Sequence, residues 1–169
     1  MKNRARFLAQ ASIIAALYAV LTHMQNILLP GSATWAIQMR LSEALCVLAF
    51  FTPSAAMGLG VGCLIFNLTF SAALPLDFLV GTLASYFSAK TMWLSRRVLI
   101  GKLPLLGLLM PALWNAFLVG WELTVYIGGS FWINALYVAI GEAAVLLTMG
   151  AGLYTVMKNR NLDKRLFTA

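Results

Sequence analysis

The run QMRLSEALCVL places Arg40 and Glu43 three residues apart in a chain that is 62% hydrophobic and only 10% charged. Asp77, Glu122 and Glu142 stand in equally apolar company. An ionised side chain at the centre of a bilayer costs at least about 2.5–3.5 kcal/mol, so such residues face a cavity or a partner. Carboxylates accept in pairs from N–H donors, and the amides of Gln38, Asn67, Asn115 and Asn134 offer both a donor and an acceptor. Trp35, Trp114, Trp121 and Tyr137 add aromatic planes able to hold a flat ring. These types together fit a planar, hydrogen-bond-rich, cationic small molecule, such as a purine-like base with an amine tail. No nucleophile–base set, metal-ligand spacing or cofactor motif accompanies them. The sole Gly-Lys pair, Gly101-Lys102, lacks the rest of a phosphate-cradling loop. An enzyme, or a transporter driven by its own ATP site, is therefore not expected, and no cofactor or metal is implied.

The elements that must position these groups follow from the solvent. The chain has 169 residues and a mean hydropathy of +0.87. A soluble domain carries about a quarter charged residues, and one this small must show water much of its surface. Lipid is the alternative solvent. Charge-free runs cover residues 7–39, 44–76, 103–121 and 123–141, and roughly 20 apolar residues cross the hydrocarbon. The expectation is an all-α integral membrane protein, residues 1–169 forming one transmembrane domain. Its six helices are placed at about 6–26, 36–51, 53–70, 76–95, 103–123 and 131–157. Pro111 inside the fifth predicts a kink. Cys46 and Cys63, in apolar segments, read as small hydrophobes rather than as a disulfide or metal pair.

Orientation comes from the basic residues. Eleven of the twelve Lys and Arg precede the first helix, surround the loop between the fourth and fifth, or follow the sixth. The positive-inside rule puts that side, and both termini, in the cytoplasm. The basic balance is thus a topology signal and makes no case for nucleic acid. Arg40 is the exception, at the outer end of the second helix. Glu43, Asp77 and Glu122 then fall in the outer half. Glu142 lies eleven residues beyond Phe131, about 16 Å deep at 1.5 Å per residue. Asn115 and Glu122 share a stripe with Trp114 and Trp121 beside it; Asn134, Tyr137 and Glu142 share another. Asn67 approaches the same level from the third helix, and Trp35 and Gln38 stand at the entrance to the second.

Plainer readings compete. Arg40 and Glu43 at i, i+3 can simply neutralise each other. Asp77 and Glu122 near helix ends reach water cheaply, and the tryptophans serve as interfacial anchors. His23 reads as structural. The depth of Glu142 resists such an account. On the first helix, Ala11, Ala15 and Ala19 recur every four residues, a spacing that lets another helix approach closely. It is either a seam within the bundle, as Gly58, Gly60 and Gly62 supply on the third helix, or a docking face for a separate membrane protein.

The segments QMRLSEAL, GVGCLIFN and LDFLVGTLAS resemble those of QueT-type proteins, the substrate-binding S-components of energy-coupling factor (ECF) transporters. The resemblance runs in order from the first helix to at least the fourth. It implies an ECF S-component-like bundle in a prokaryotic plasma membrane that takes up a queuosine precursor, either aminomethyl-deazaguanine or queuine. It also implies partners: a transmembrane coupling protein, docked on the alanine-spaced first helix, and two cytoplasmic ATPases. In that frame Arg40 and Glu43 form the pocket rim, while Glu142, with Glu122 or Asp77, binds the donor edge or amine. An S-component for another vitamin or nucleobase and a stand-alone secondary transporter are the alternatives.

Overall fold

The computed structural model describes residues 2–30, 32, 39–70 and 73–167, with side chains from residue 4 onward. Trp35 and Gln38 lie outside the described residues. The described chain is all-helical, without a strand. Helix α1 spans Lys2–Leu28, a 3-10 helix spans Leu41–Phe50, and α2 and α3 span Ser54–Thr69 and Asp77–Ser95. A short α4 (Leu105–Leu108) leads into α5 (Met110–Tyr126). Helix α6 (Phe131–Val145) continues through a π turn (Leu146–Gly150) into α7 (Ala151–Asn159), and α8 (Leu162–Phe167) ends the described chain. The rods Arg4–Leu28, Leu105–Tyr126 and Phe131–Asn159 are long and apolar enough to cross a membrane.

Two local structures differ from the sequence expectation. Pro111 does not kink a continuous helix. The rod breaks ahead of it at Leu109, and Pro111 falls in the first turn of α5, where its missing N–H leaves no bond unmade. The second helix is not α-helical but a ten-residue 3-10 rod, longer than the three or four residues usual for this form. Its ends show the tighter pattern: Glu43 N bonds Arg40 O at 3.0 Å and Phe51 N bonds Leu48 O at 3.0 Å. Three residues per turn align Glu43, Cys46 and Ala49 in one row, and all three are buried.

This narrow rod runs through the middle of the bundle. It touches α1, α2, α3, α6, α7 and the π turn. Around it α1 packs on α2, α2 on α3, α3 on α5 and α5 on α6. One apolar core, with Val47, Leu59, Met92, Leu108 and Leu146 among its members, joins this rod to its neighbours. A smaller one, Val80, Val119, Leu123 and Val138, joins α3, α5 and α6.

The α1–α2 seam is made by small residues on both sides. A Cβ at Gly58 would stand 2.7 Å from the Ala11 carbonyl oxygen, and one at Gly62 2.8 Å from that of Ala15. Ala11, Ala15 and Ala19 are buried. The stripe expected to receive a partner is therefore occupied within the chain, by α2.

Candidate functional site

Helix α1 carries a polar stripe, Tyr18, Thr22 and Gln25, at i, i+4 and i+7, all buried. Gln25 clamps the segment entering the 3-10 helix: its amide donates to Met39 O at 2.6 Å and its Oε1 accepts from Leu41 N at 2.7 Å. Thr22 Oγ1 lies 2.7 Å from both Tyr18 O and Ser42 Oγ. Tyr18 donates its hydroxyl to Glu43 Oε1 at 2.5 Å, and Cys46 Sγ lies 2.9 Å from Glu43 Oε2. Both oxygens of Glu43 are thus held from within the protein. The residue between the clamped backbone atoms is Arg40, 2% exposed.

The remaining acids enter from other elements. Asp77 is the first residue of α3, where a negative charge suits the helix N-terminus. Its Oδ2 accepts from Leu74 N at 2.8 Å, and its carbonyl accepts from Asn67 Nδ2 on α2 at 2.7 Å. Gly81 permits this approach, since a Cβ there would meet Asn67 Nδ2 at 2.7 Å and Cys63 Sγ at 3.1 Å, with an Arg40 guanidinium nitrogen at 4.0 Å. Glu122 projects from α5 and Glu142 from α6, at 0% and 1% exposure.

These charges form two pairs about one guanidinium. Glu122 faces Asp77 and Arg40; Glu142 faces Glu43 and Arg40. In the first pair the Glu122 carboxyl stands against that of Asp77; in the second, Glu43 already accepts from Tyr18 and Cys46. Both oxygens of Glu122, Oε2 of Glu142 and Oδ1 of Asn67 have no hydrogen-bond partner among the described residues. Buried polar atoms are normally satisfied, and each exception requires an explanation. Four such acceptor atoms beside a buried cluster of acids have the chemistry to accept N–H donors and to offset positive charge.

Some of the expected residues stand elsewhere. Arg40 and Glu43 are enclosed rather than at an exposed rim. Asn115 is buried on the α5 stripe seven residues below Glu122, its Nδ2 on Pro111 O at 3.1 Å. Trp114 stacks on Phe87 with centroids 5.1 Å apart and bonds Thr91 Oγ1 at 3.2 Å. Asn134 pins the turn after α5, its Nδ2 3.0 Å from both Thr124 Oγ1 and Gly128 O. Trp121 and Tyr137 point away from the acids, 48% and 40% exposed. Trp121 lines an open hollow of about 490 Å³ with Phe117, Leu118 and Phe131, a mostly apolar wall suited to lipid chains. His23 Nε2 lies 2.9 Å from Thr69 Oγ1, and its ring stands edge-on to Phe66.

The sequence reading missed Tyr18 and Cys46. The signal for Tyr18 was present: a mid-helix hydroxyl in an apolar run needs a partner, and Thr22 and Gln25 continue its face. Cys46, three residues beyond Glu43, faces it on either form of helix, but its apolar setting reads as that of a small hydrophobe.

A sequence model of the QueT transporter family matches residues 8–159, nearly the whole chain. The chain belongs to the QueT transporter family. Its role is accordingly transport of a small molecule, in keeping with its membrane-length apolar helices and with a non-enzymatic protein. No curated protein and no solved structure matches the chain. In this QueT-family chain the buried acids, from four different elements, form the candidate substrate site.

Proposed function

We propose that this protein is the substrate-binding S-component of an ECF-type importer and that it binds a queuosine precursor, a 7-deazaguanine base bearing an aminomethyl group or its queuine elaboration. One observation carries the reading: both oxygens of Glu122 and Oε2 of Glu142, near Arg40, are buried without a hydrogen-bond partner among the described residues. A deazaguanine presents a donor edge to one carboxylate and an ammonium to the other, and its carbonyl can accept from a guanidinium. Membership of the QueT family supports the same substrate class.

The finer topology goes with this reading. Six rods cross a prokaryotic plasma membrane with both termini in the cytoplasm, because eleven of the twelve basic residues then lie inside. Energy comes from a transmembrane coupling protein and two ATPases, since the chain carries no phosphate-binding loop. The coupling protein docks on the outward face of α1, where Ala9, Ser12 and Ala16 are exposed at helical spacing, one step round from the alanines that α2 covers.

The test is titration calorimetry of the purified protein, without partners, using aminomethyl-deazaguanine, queuine and guanine. Tight binding of the deazaguanines over guanine is expected. A folded sample that binds none of them overturns the substrate assignment.

A further inference from the structure

The site holds four carboxylates against Arg40, the one buried cation among the described residues. Fully ionised, it would carry three excess negative charges on side chains that are almost wholly buried. An isolated buried charge is so costly that a carboxyl group takes up a proton instead. The hydrogen bonds indicate which acids do so. Glu43 accepts from Tyr18 and Cys46, and Asp77 accepts from Leu74 N, so protein donors already occupy these oxygens. Both oxygens of Glu122 and Oε2 of Glu142 have no such donor, and each group faces a carboxylate that protein donors reach.

We infer that Glu122 and Glu142 form a proton-binding site, occupied when the substrate site is empty, and that a cationic ligand enters in exchange for a proton. The exchange balances. A carboxylic acid O–H gives its proton to bulk water, the carboxylate left behind accepts an N–H of the ligand's ammonium, and the net charge of the site is unchanged. The groups facing Glu122 are Asp77 on α3 and Arg40 ahead of the 3-10 helix. Those facing Glu142 are Glu43 on that helix and the same Arg40. Cys46 on the 3-10 helix also faces Glu142 directly, and Tyr18 on α1 approaches through Glu43. The inference rests on the substrate reading only for the ligand's charge; the proton site itself is a property of the empty protein.

Two measurements separate the two ideas. Infrared difference spectroscopy of the ligand-free full chain in lipid nanodiscs should show a protonated-carboxyl C=O band that shifts in deuterium oxide and weakens in Glu122→Gln or Glu142→Gln. The band is read on the wild type first, so a variant that fails to fold does not decide the matter. Calorimetry with aminomethyl-deazaguanine in buffers of different ionisation enthalpy should show about one proton released per ligand bound. Affinity should then fall up to about tenfold per pH unit as the solution is acidified. Absence of the carboxyl band in the empty protein overturns the inference, as does tight binding whose heat is independent of the buffer. Sodium- or potassium-dependent binding without the band would assign neutralisation to a metal ion and overturns it too. A band present in a protein that binds no deazaguanine supports the proton site and removes the substrate reading instead.

Discussion

Tyr18 and Glu43, 25 positions apart in the chain, meet through a 2.5 Å hydrogen bond inside the bundle. This contact ties the middle of α1 to the first turn of the 3-10 helix. Removing the hydroxyl leaves a buried carboxylate oxygen without its donor, a loss of about 1–3 kcal/mol. Tyr18→Phe should lower the melting temperature of the ligand-free protein measurably, while Tyr154→Phe, at the other end of the core, should not touch ligand affinity. Equal melting of Tyr18→Phe and wild type would mean that the bond contributes nothing net.

The α1–α2 seam makes a steric prediction. A Cβ at Gly62 would meet the Ala15 carbonyl oxygen and Tyr18 Cβ at 2.8 Å each, so α1 must move away, carrying Tyr18 from Glu43. Overpacking of this kind costs about 1–3 kcal/mol. Gly62→Ala should therefore reduce both thermal stability and ligand affinity. Gly152→Ala, where nothing lies within 4 Å, should leave both unchanged or raise stability slightly. Matching behaviour of the two variants in a melting assay would contradict the seam.

The acids and the aromatic residues should separate by titration. A hydrogen bond to a charged group contributes about 1.5–3 kcal/mol, so Glu122→Gln or Glu142→Gln should weaken a cationic deazaguanine about 10- to 100-fold. Trp121→Ala and Tyr137→Phe, whose side chains face outward, should bind within about twofold of wild type. Full affinity in Glu142→Gln would sink the site assignment.

Adjacent alanines on α1 should behave differently. Ala15 is buried against Gly62 and Ala16 is exposed. Ala16→Leu should leave substrate binding intact yet reduce copurification of the coupling protein and uptake by the assembled transporter. Ala15→Leu should fail earlier, by loss of the folded protein. Undiminished uptake by Ala16→Leu would move the docking face elsewhere.

How much of this was legible in the sequence depends on the residue. A carboxylate in an apolar run has few places to go, and Glu43, Asp77, Glu122 and Glu142 all proved buried. Aromatic residues carry no such constraint. Trp121 suits lipid as well as a cavity, and one position on the helix decides between them, so the shared stripe misplaced it. The α1 seam was ambiguous because small residues occupy two adjoining faces, Ala11–Ala15–Ala19 and Ala9–Ser12–Ala16, and only the glycines of α2 select one. The starts of α2, α3 and α6, at Ser54, Asp77 and Phe131, fall within a residue of the expected positions. The form of the second rod was not legible, because a 3-10 and an α-helix of the same ten apolar residues differ in what surrounds them rather than in composition.

That rod has a property that the α-helices around it lack. Three residues per turn mean that the segment counts in threes. One residue inserted between Glu43 and Cys46 would swing everything after it by about a third of a turn, taking the Cys46 thiol out of reach of Glu43. Three inserted residues would restore the direction and add about 6 Å of length. Residues 41–50 thus carry a reading frame of their own: only an insertion of a whole turn keeps the faces after it in direction, and even that one separates Cys46 from Glu43.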